Sequence, residues 1–235
     1  MRGLARGALL PLCLWLAGAA AAQDPVVGAR FALPVTRYGH DVLGGEAEWG
    51  EMRILRLSGA EIVVQLPPSA VFEDIAPRLV DLGTQTAILV VQSDLRLGAR
   101  ITLWGDGGLL AAGPYVGQAH RWVAPVGVGD LDGDGHVEIA YVDRPHLAKV
   151  LRVIRYDPMS TEMGEVARQR GYSNHRIGWD HIEGGLRDCG DGPEMVVPSG
   201  DWGDIRAIRL VQGELIARRL APYSAAGVDR AMSCR

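Results

Sequence analysis

Lysine is almost missing from this chain: Lys149 stands alone among 24 basic residues, and the rest are arginines. That skew carries no functional assignment, but the charge balance does. Setting aside Arg2 and Arg6 of the leader leaves 22 basic residues against 28 acidic ones. A mildly acidic chain of this kind is a poor partner for nucleic acid or for an anionic membrane surface. No second long hydrophobic run follows the first 22 residues, so no membrane insertion is expected. Among catalytic signatures, HExxH, GxSxG, SxxK, the P-loop and GxGxxG are all missing. Gly127-Val128-Gly129 lacks the third glycine, and Pro125 spoils a strand-to-helix turn there. No stretch sustains a helical period beyond two turns, which removes helical bundles and coiled coils.

What the N-terminus does have is a secretory pattern. Arg2 and Arg6 precede an apolar core from Ala8 to Leu16, and Ala20 and Ala22 give a small-x-small site before Gln23. The core is too short to span a bilayer, and Pro11-Leu12 before Cys13 is not a lipoprotein box. The expectation is a signal peptide over 1–22, cleaved after Ala22, and a soluble, monomeric, periplasmic or secreted domain over 23–235. Two cysteines then remain, Cys189 and Cys234. An even count in an exported protein favours one disulfide. Two free thiols or a metal pair with a histidine are the alternatives, and neither cysteine has a CxxC or histidine neighbour.

The most informative stretch is Gly129-Asp130-Leu131-Asp132-Gly133-Asp134-Gly135-His136-Val137-Glu138, followed by the apolar run Ile139-Ala140-Tyr141-Val142. Carboxylates at Asp130, Asp132, Asp134 and Glu138 in a glycine-bearing loop suit a hard cation seeking six to eight oxygens. His136 would add its backbone carbonyl. The pattern predicts one structural Ca2+ site leading into a buried strand. It is not an EF-hand, because Tyr141 occupies the place of the bidentate Glu and Pro125, Gly127 and Gly129 break the preceding helix. The plainer reading is an Asp/Gly surface turn.

Internal repetition sets the fold. The segments Met52–Leu57, Ala99–Trp104, Leu151–Tyr156 and Ile205–Leu210 share an apolar-Arg-apolar pattern, with Arg53, Arg100, Arg152 and Arg206 recurring at a spacing of roughly fifty residues. Each is followed by a turn and a short apolar run. Upstream of the last three lie Ala87–Val91, Glu138–Val142 and Glu194–Val197, preceded by an acidic loop at Asp81-Leu82-Gly83, at Asp130–Glu138 and at Asp188–Gly192. Tyr38–Leu43 is expected to fill that place in the first copy. Short Val- and Ile-rich runs bounded by Gly and Pro are strands. Thr161–Arg170 is the best helical candidate, but its place in the repeat makes it a strand. The prediction is an all-β, propeller-like array of about four repeats, at 35–70, 71–117, 118–170 and 171–222, with the four Arg segments in four successive sheets.

Over residues 122–142 the chain resembles the FG-GAP/VCBS repeat family, which includes the integrin α propellers. The matching residues are Trp122, Val123, Ala124, Pro125, the loop Gly129–Gly135, and Glu138-Ile139-Ala140. The resemblance implies a calcium-holding loop between strands of a blade. Only the third repeat carries the full ligand set: the second keeps Asp81 alone, and the fourth has Asp188 and Asp191 with Cys189 between them.

Other chemistry is thinner. His120-Arg121 and His175-Arg176 hold comparable places and are read as satisfying bonds between repeats. Trp49, Trp104, Trp122, Trp179 and Trp202 read as packing between sheets. The longer segment Tyr172–Asp188 is the first choice for a recognition loop. The resulting expectation is a calcium-stabilised binding or scaffold module for a protein or glycan. The competing expectation is a propeller-type hydrolase or lyase, which His181 paired with Asp180 or Glu183 beside a pocket would favour.

Overall fold

The computed structural model describes residues 24–45 and 48–235; the leader lies outside them. Antiparallel strands dominate, as the alternating and doubly apolar runs require. The first unit is a three-stranded meander of β1 (Val26–Val35), β2 (Glu48–Arg56) and β3 (Glu61–Gln65). The second has β6 (Thr86–Asp94) flanked on one side by the short β4 (Ala70–Phe72) and β5 (Arg78–Asp81), and on the other by β7 (Gly98–Gly105) and β8 (Gly108–Ala112). The third runs β9 (Val123–Gly129), β10 (Val137–Asp143), β11 (Val150–Tyr156), β12 (Gly164–Arg170), and the fourth β13 (Gly185–Asp188), β14 (Pro193–Pro198), β15 (Asp204–Val211), β16 (Glu214–Pro222).

The Arg-bearing segments do fall in equivalent strands, β2, β7, β11 and β15, but not in four separate sheets. Trp49 of β2 pairs with Phe72 of β4, and this one link joins the first two units into an eight-stranded sheet. Three sheets result among the described residues. The second copy is also shifted. Arg152 faces Tyr141, three residues beyond Glu138, and Arg206 faces Val197, three beyond Glu194. Arg100 instead faces Gln92, five beyond Ala87. Within Thr161–Arg170, Gly164–Arg170 forms β12, a strand and not the helix its local pattern suggested.

Side chains alternate across a strand, and here that alternation builds a stack of cores. Ile88 and Val90 of β6 pack with Met52 and Ile54 of the first unit, while Ala87, Leu89 and Val91 turn to the third. In β10, Ile139 and Tyr141 face the second unit and Ala140 and Val142 the fourth. A strand buried on both faces needs an unbroken apolar run. β2, covered on one face, alternates Met52-Arg53-Ile54. Its outer side carries Arg30, Glu51, Arg53 and Glu61 in mutual ion pairs. Gly127 marks the tightest approach of β9 to β13: a Cβ there would lie 2.5 Å from Leu186 Cγ.

The outer side of the fourth unit is closed differently. Helix α1 (Ala225–Met232) lays Val228 and Ala231 on Val196 and Ile205. Its periodicity escaped the sequence reading because it spans only two turns; Ser224 caps it by accepting from Gly227 N–H at 3.1 Å. Cys189 and Cys234 are disulfide-bonded, with Cα atoms 5.6 Å apart, tying the segment after α1 to the β13–β14 loop. No helix among the described residues is long and apolar enough to cross a membrane.

Candidate metal centre

The acidic loop leaves β9 at Gly129 and enters β10 at Val137. Asp130 organises it: Oδ1 accepts the N–H groups of Gly133 at 2.8 Å and Asp134 at 3.1 Å, and Oδ2 that of Gly135 at 2.9 Å. Gly133 and Gly135 hold φ of 79° and 87°, a left-handed backbone that side chains resist. The tight turn aims the Asp132 side chain back toward β10. There Glu138 is 0 % exposed, with Oε2 accepting from Leu131 N–H at 2.9 Å.

Asp130, Asp132 and Glu138 converge, each offering a carboxylate oxygen within 4.8 Å of the others. Asp132 Oδ1 is buried without any hydrogen-bond partner. An orphaned carboxylate oxygen is expensive unless something positive meets it. Arg155 of β11 reaches the group from one side, with contacts of 2.6 Å to Glu138, 3.1 Å to Asp132 and 2.8 Å to Asp134. One guanidinium against four carboxylates leaves the loop strongly negative. Burial pushes the Glu138 carboxyl above its ordinary pKa, and the Leu131 N–H and Arg155 only partly offset this. The donor set, all hard oxygen, fits a cation such as Ca2+.

Asp134 stands outside the convergent group. Its Oδ1 accepts from His136 N–H at 2.9 Å and lies 3.1 Å from the His136 ring, and the backbone bond holds its pKa below the ordinary value. The other sequence-predicted features separate cleanly. Asp81 accepts from Gly83 N–H in a simple turn. Asp188 accepts from Gly190 and Gly192, but Glu194 beside it is surrounded by Arg187, Arg209 and Arg218.

Tyr38–Leu43 does not occupy an acidic-loop position. It precedes the Arg-bearing strand β2, as residues 144–149 precede β11, and so sits at the opposite end of the array. Within Tyr172–Asp188, Asn174 and His175 are fully buried, so the first four residues of the expected recognition loop form an internal plug. His181 lies 3.1 Å from Asp180, but Asp180 is 96 % exposed and the pair stands in solvent. Trp122 and Trp104 are core, whereas Trp179 and Trp202 join Tyr223 in a surface cluster with Arg176 above Trp202. Sequence reasoning missed Glu73 and Glu48, both buried. Glu73 accepts from His40 Nδ1 at 2.5 Å, a pairing across 33 residues. No family model matches the chain, and no curated protein does.

Proposed function

We propose that this chain is an exported, cation-anchored binding module of the FG-GAP/VCBS type, built as a propeller-like array of four repeats and recognising a protein or glycan partner. Among the described residues the first and last sheets share no strand pairing; the outer side of the first is charged and that of the last is covered by α1. One Ca2+ on Asp130, Asp132 and Glu138, completed by Asp134 and the His136 carbonyl, anchors the start of β10 in the middle of the stack. The supporting observation is the partnerless, buried Asp132 Oδ1 inside the convergent carboxylates. The ion's role is structural, since it sits where two cores share one strand. Binding to the folded state alone stabilises by about 2.7 kcal/mol at a hundredfold excess over Kd.

The test is thermal unfolding of the mature protein with chelator and with millimolar Ca2+ or Mg2+. Ca2+ raises Tm by several degrees, Mg2+ by less because it gives up water reluctantly, and Asp132→Ala loses the response. An equal response in parent and variant would reduce the loop to a turn. Sequencing the N-terminus of the exported protein checks cleavage after Ala22.

A further inference from the structure

At the end of the array away from the acidic loop, segments from the first, third and fourth repeats meet around a cavity of about 320 Å³. His40, His120, Arg121, Trp122, Arg144 and His146 line it. Its volume falls in the range of small-ligand sites. The first and fourth repeats touch here, Gly178 N–H donating to Val42 O at 3.0 Å.

The hydrogen bonds fix what the imidazoles present. His120 Nε2 lies 2.9 Å from Tyr38 O; a carbonyl only accepts, so Nε2 carries a proton, and in the neutral tautomer that this contact selects, Nδ1 holds the lone pair. His175 Nε2 likewise donates to Trp179 O at 2.9 Å, leaving its Nδ1 to accept from His146 Nε2 at 3.0 Å. Burial pushes His146 down to about 4 and His175 below its ordinary value, so both rings are neutral at pH 7. The outer nitrogen of His146, Nδ1, therefore also carries a lone pair. His40 is held by Glu73, which is itself anchored by Ser93 Oγ, and its Nε2 makes no bond to a described residue.

The rim is positive. Arg144 is spent on Asp143, at 2.8 and 3.0 Å, but Arg121 has no ion pair among the described residues and only donates to His120 O. His120 and Arg144 also hold left-handed φ of 53° and 48°, a strain that accumulates at functional sites. The ring nitrogens do not converge as a metal set; the acidic loop is the convergent group among the described residues. An unpaired guanidinium also repels a cation.

A ligand complementary to this cavity donates hydroxyl protons to bare imidazole nitrogens, offers an anion to Arg121, and lays an apolar edge against Trp122. We propose that the cavity binds a hydroxylated carboxylate of the sugar-acid class, its hydroxyls donating to His146 Nδ1 and His120 Nδ1 and its carboxylate accepting from Arg121. This names a ligand class for the binding-module reading but does not depend on the calcium site.

The experiment is a calorimetric and NMR titration of the mature protein with glucuronate, glucose and acetate. Glucuronate binds saturably, at least about tenfold tighter than glucose or acetate, and Arg121→Gln weakens it by about tenfold or more. Arg121→Gln keeps the Ca2+-dependent Tm shift, and Asp132→Ala, assayed below its own Tm, keeps glucuronate binding. The two readings thus fail separately. Equal affinity for glucose and glucuronate, undiminished binding in Arg121→Gln, or no saturation would overturn the assignment.

Discussion

The third and fourth units solve one problem in two ways. Each has an acidic loop between its first two strands, an Asp that gathers loop N–H groups, a buried Glu at the second residue of the next strand, and an Arg facing it from the strand beyond. Around Glu138 the carboxylates outnumber the one arginine, and burial leaves Glu138 above its ordinary pKa. Around Glu194 three arginines supply the positive charge, at 2.8, 3.2 and 2.9 Å for Arg187, Arg209 and Arg218. Burial still pushes Glu194 upward, but Arg218 and Arg187 outweigh it and leave its pKa lowered. The fourth loop is neutralised from within and stapled by a disulfide. The third leaves an oxygen waiting.

Four measurements separate these solutions, the largest effect first. Cys189→Ser/Cys234→Ser opens a 45-residue separation and costs about 4 kcal/mol on the chain-entropy account, read by urea unfolding of the oxidised parent beside the variant. A loss under about 1 kcal/mol would mean that α1 and the arginine cluster already hold this end.

Glu194→Ala strands Arg187, whose side chain is only 7 % exposed, and costs about 3 kcal/mol. Its pH signature has a definite sign. A lowered folded pKa means that Glu194 contributes fully above its unfolded value, and that the contribution disappears as pH falls through the folded value. Acid-induced loss of stability therefore shrinks in Glu194→Gln, which has no charge left to lose.

Chelation of Ca2+ follows at about 2–3 kcal/mol. Asp188→Ala leaves the chelator-induced Tm shift intact while Asp132→Ala removes it. A Ca2+ response that vanished equally in both would erase the distinction between the loops. The smallest effect belongs to Arg155→Gln, about 1 kcal/mol or less in chelator because the side chain is partly exposed. The same variant enlarges the Ca2+-dependent shift, since guanidinium and ion share the same oxygens. A shrunken shift would show that Arg155 instead shapes the loop for the ion.

Much of the architecture was legible because it rests on local periodicity. Ile139–Val142 and Met195–Val197 are unbroken apolar runs because both their faces are covered, and Met52-Arg53-Ile54 alternates because one is not. The Asp130–Glu138 loop was legible for the same reason, all its acids lying within nine residues. The joining of the first two units depends on a single Trp49–Phe72 pair, which no pattern announces. The two-residue displacement of Arg100 keeps the same face and so leaves the alternation unchanged. The histidine cavity stayed hidden because its bonds join distant segments, Tyr38 to His120 across 82 residues and His146 to His175 across 29.

The outward side of β1–β3, with its lattice of Arg30, Glu51, Arg53 and Glu61, has a consequence for how the molecule comes apart. In a stack where each layer leans on its neighbours, cohesion is lowest where a layer shares only one core and, among the described residues, has no cover. The C-terminal layer has α1 and the disulfide; the N-terminal one has exposed ion pairs worth little each. Opening therefore starts at the N-terminal end and travels inward. Amides of β1–β3 exchange with deuterium first, those of β10 and β11 last, and a protease acting on the folded protein nicks the first layer while the remainder still holds.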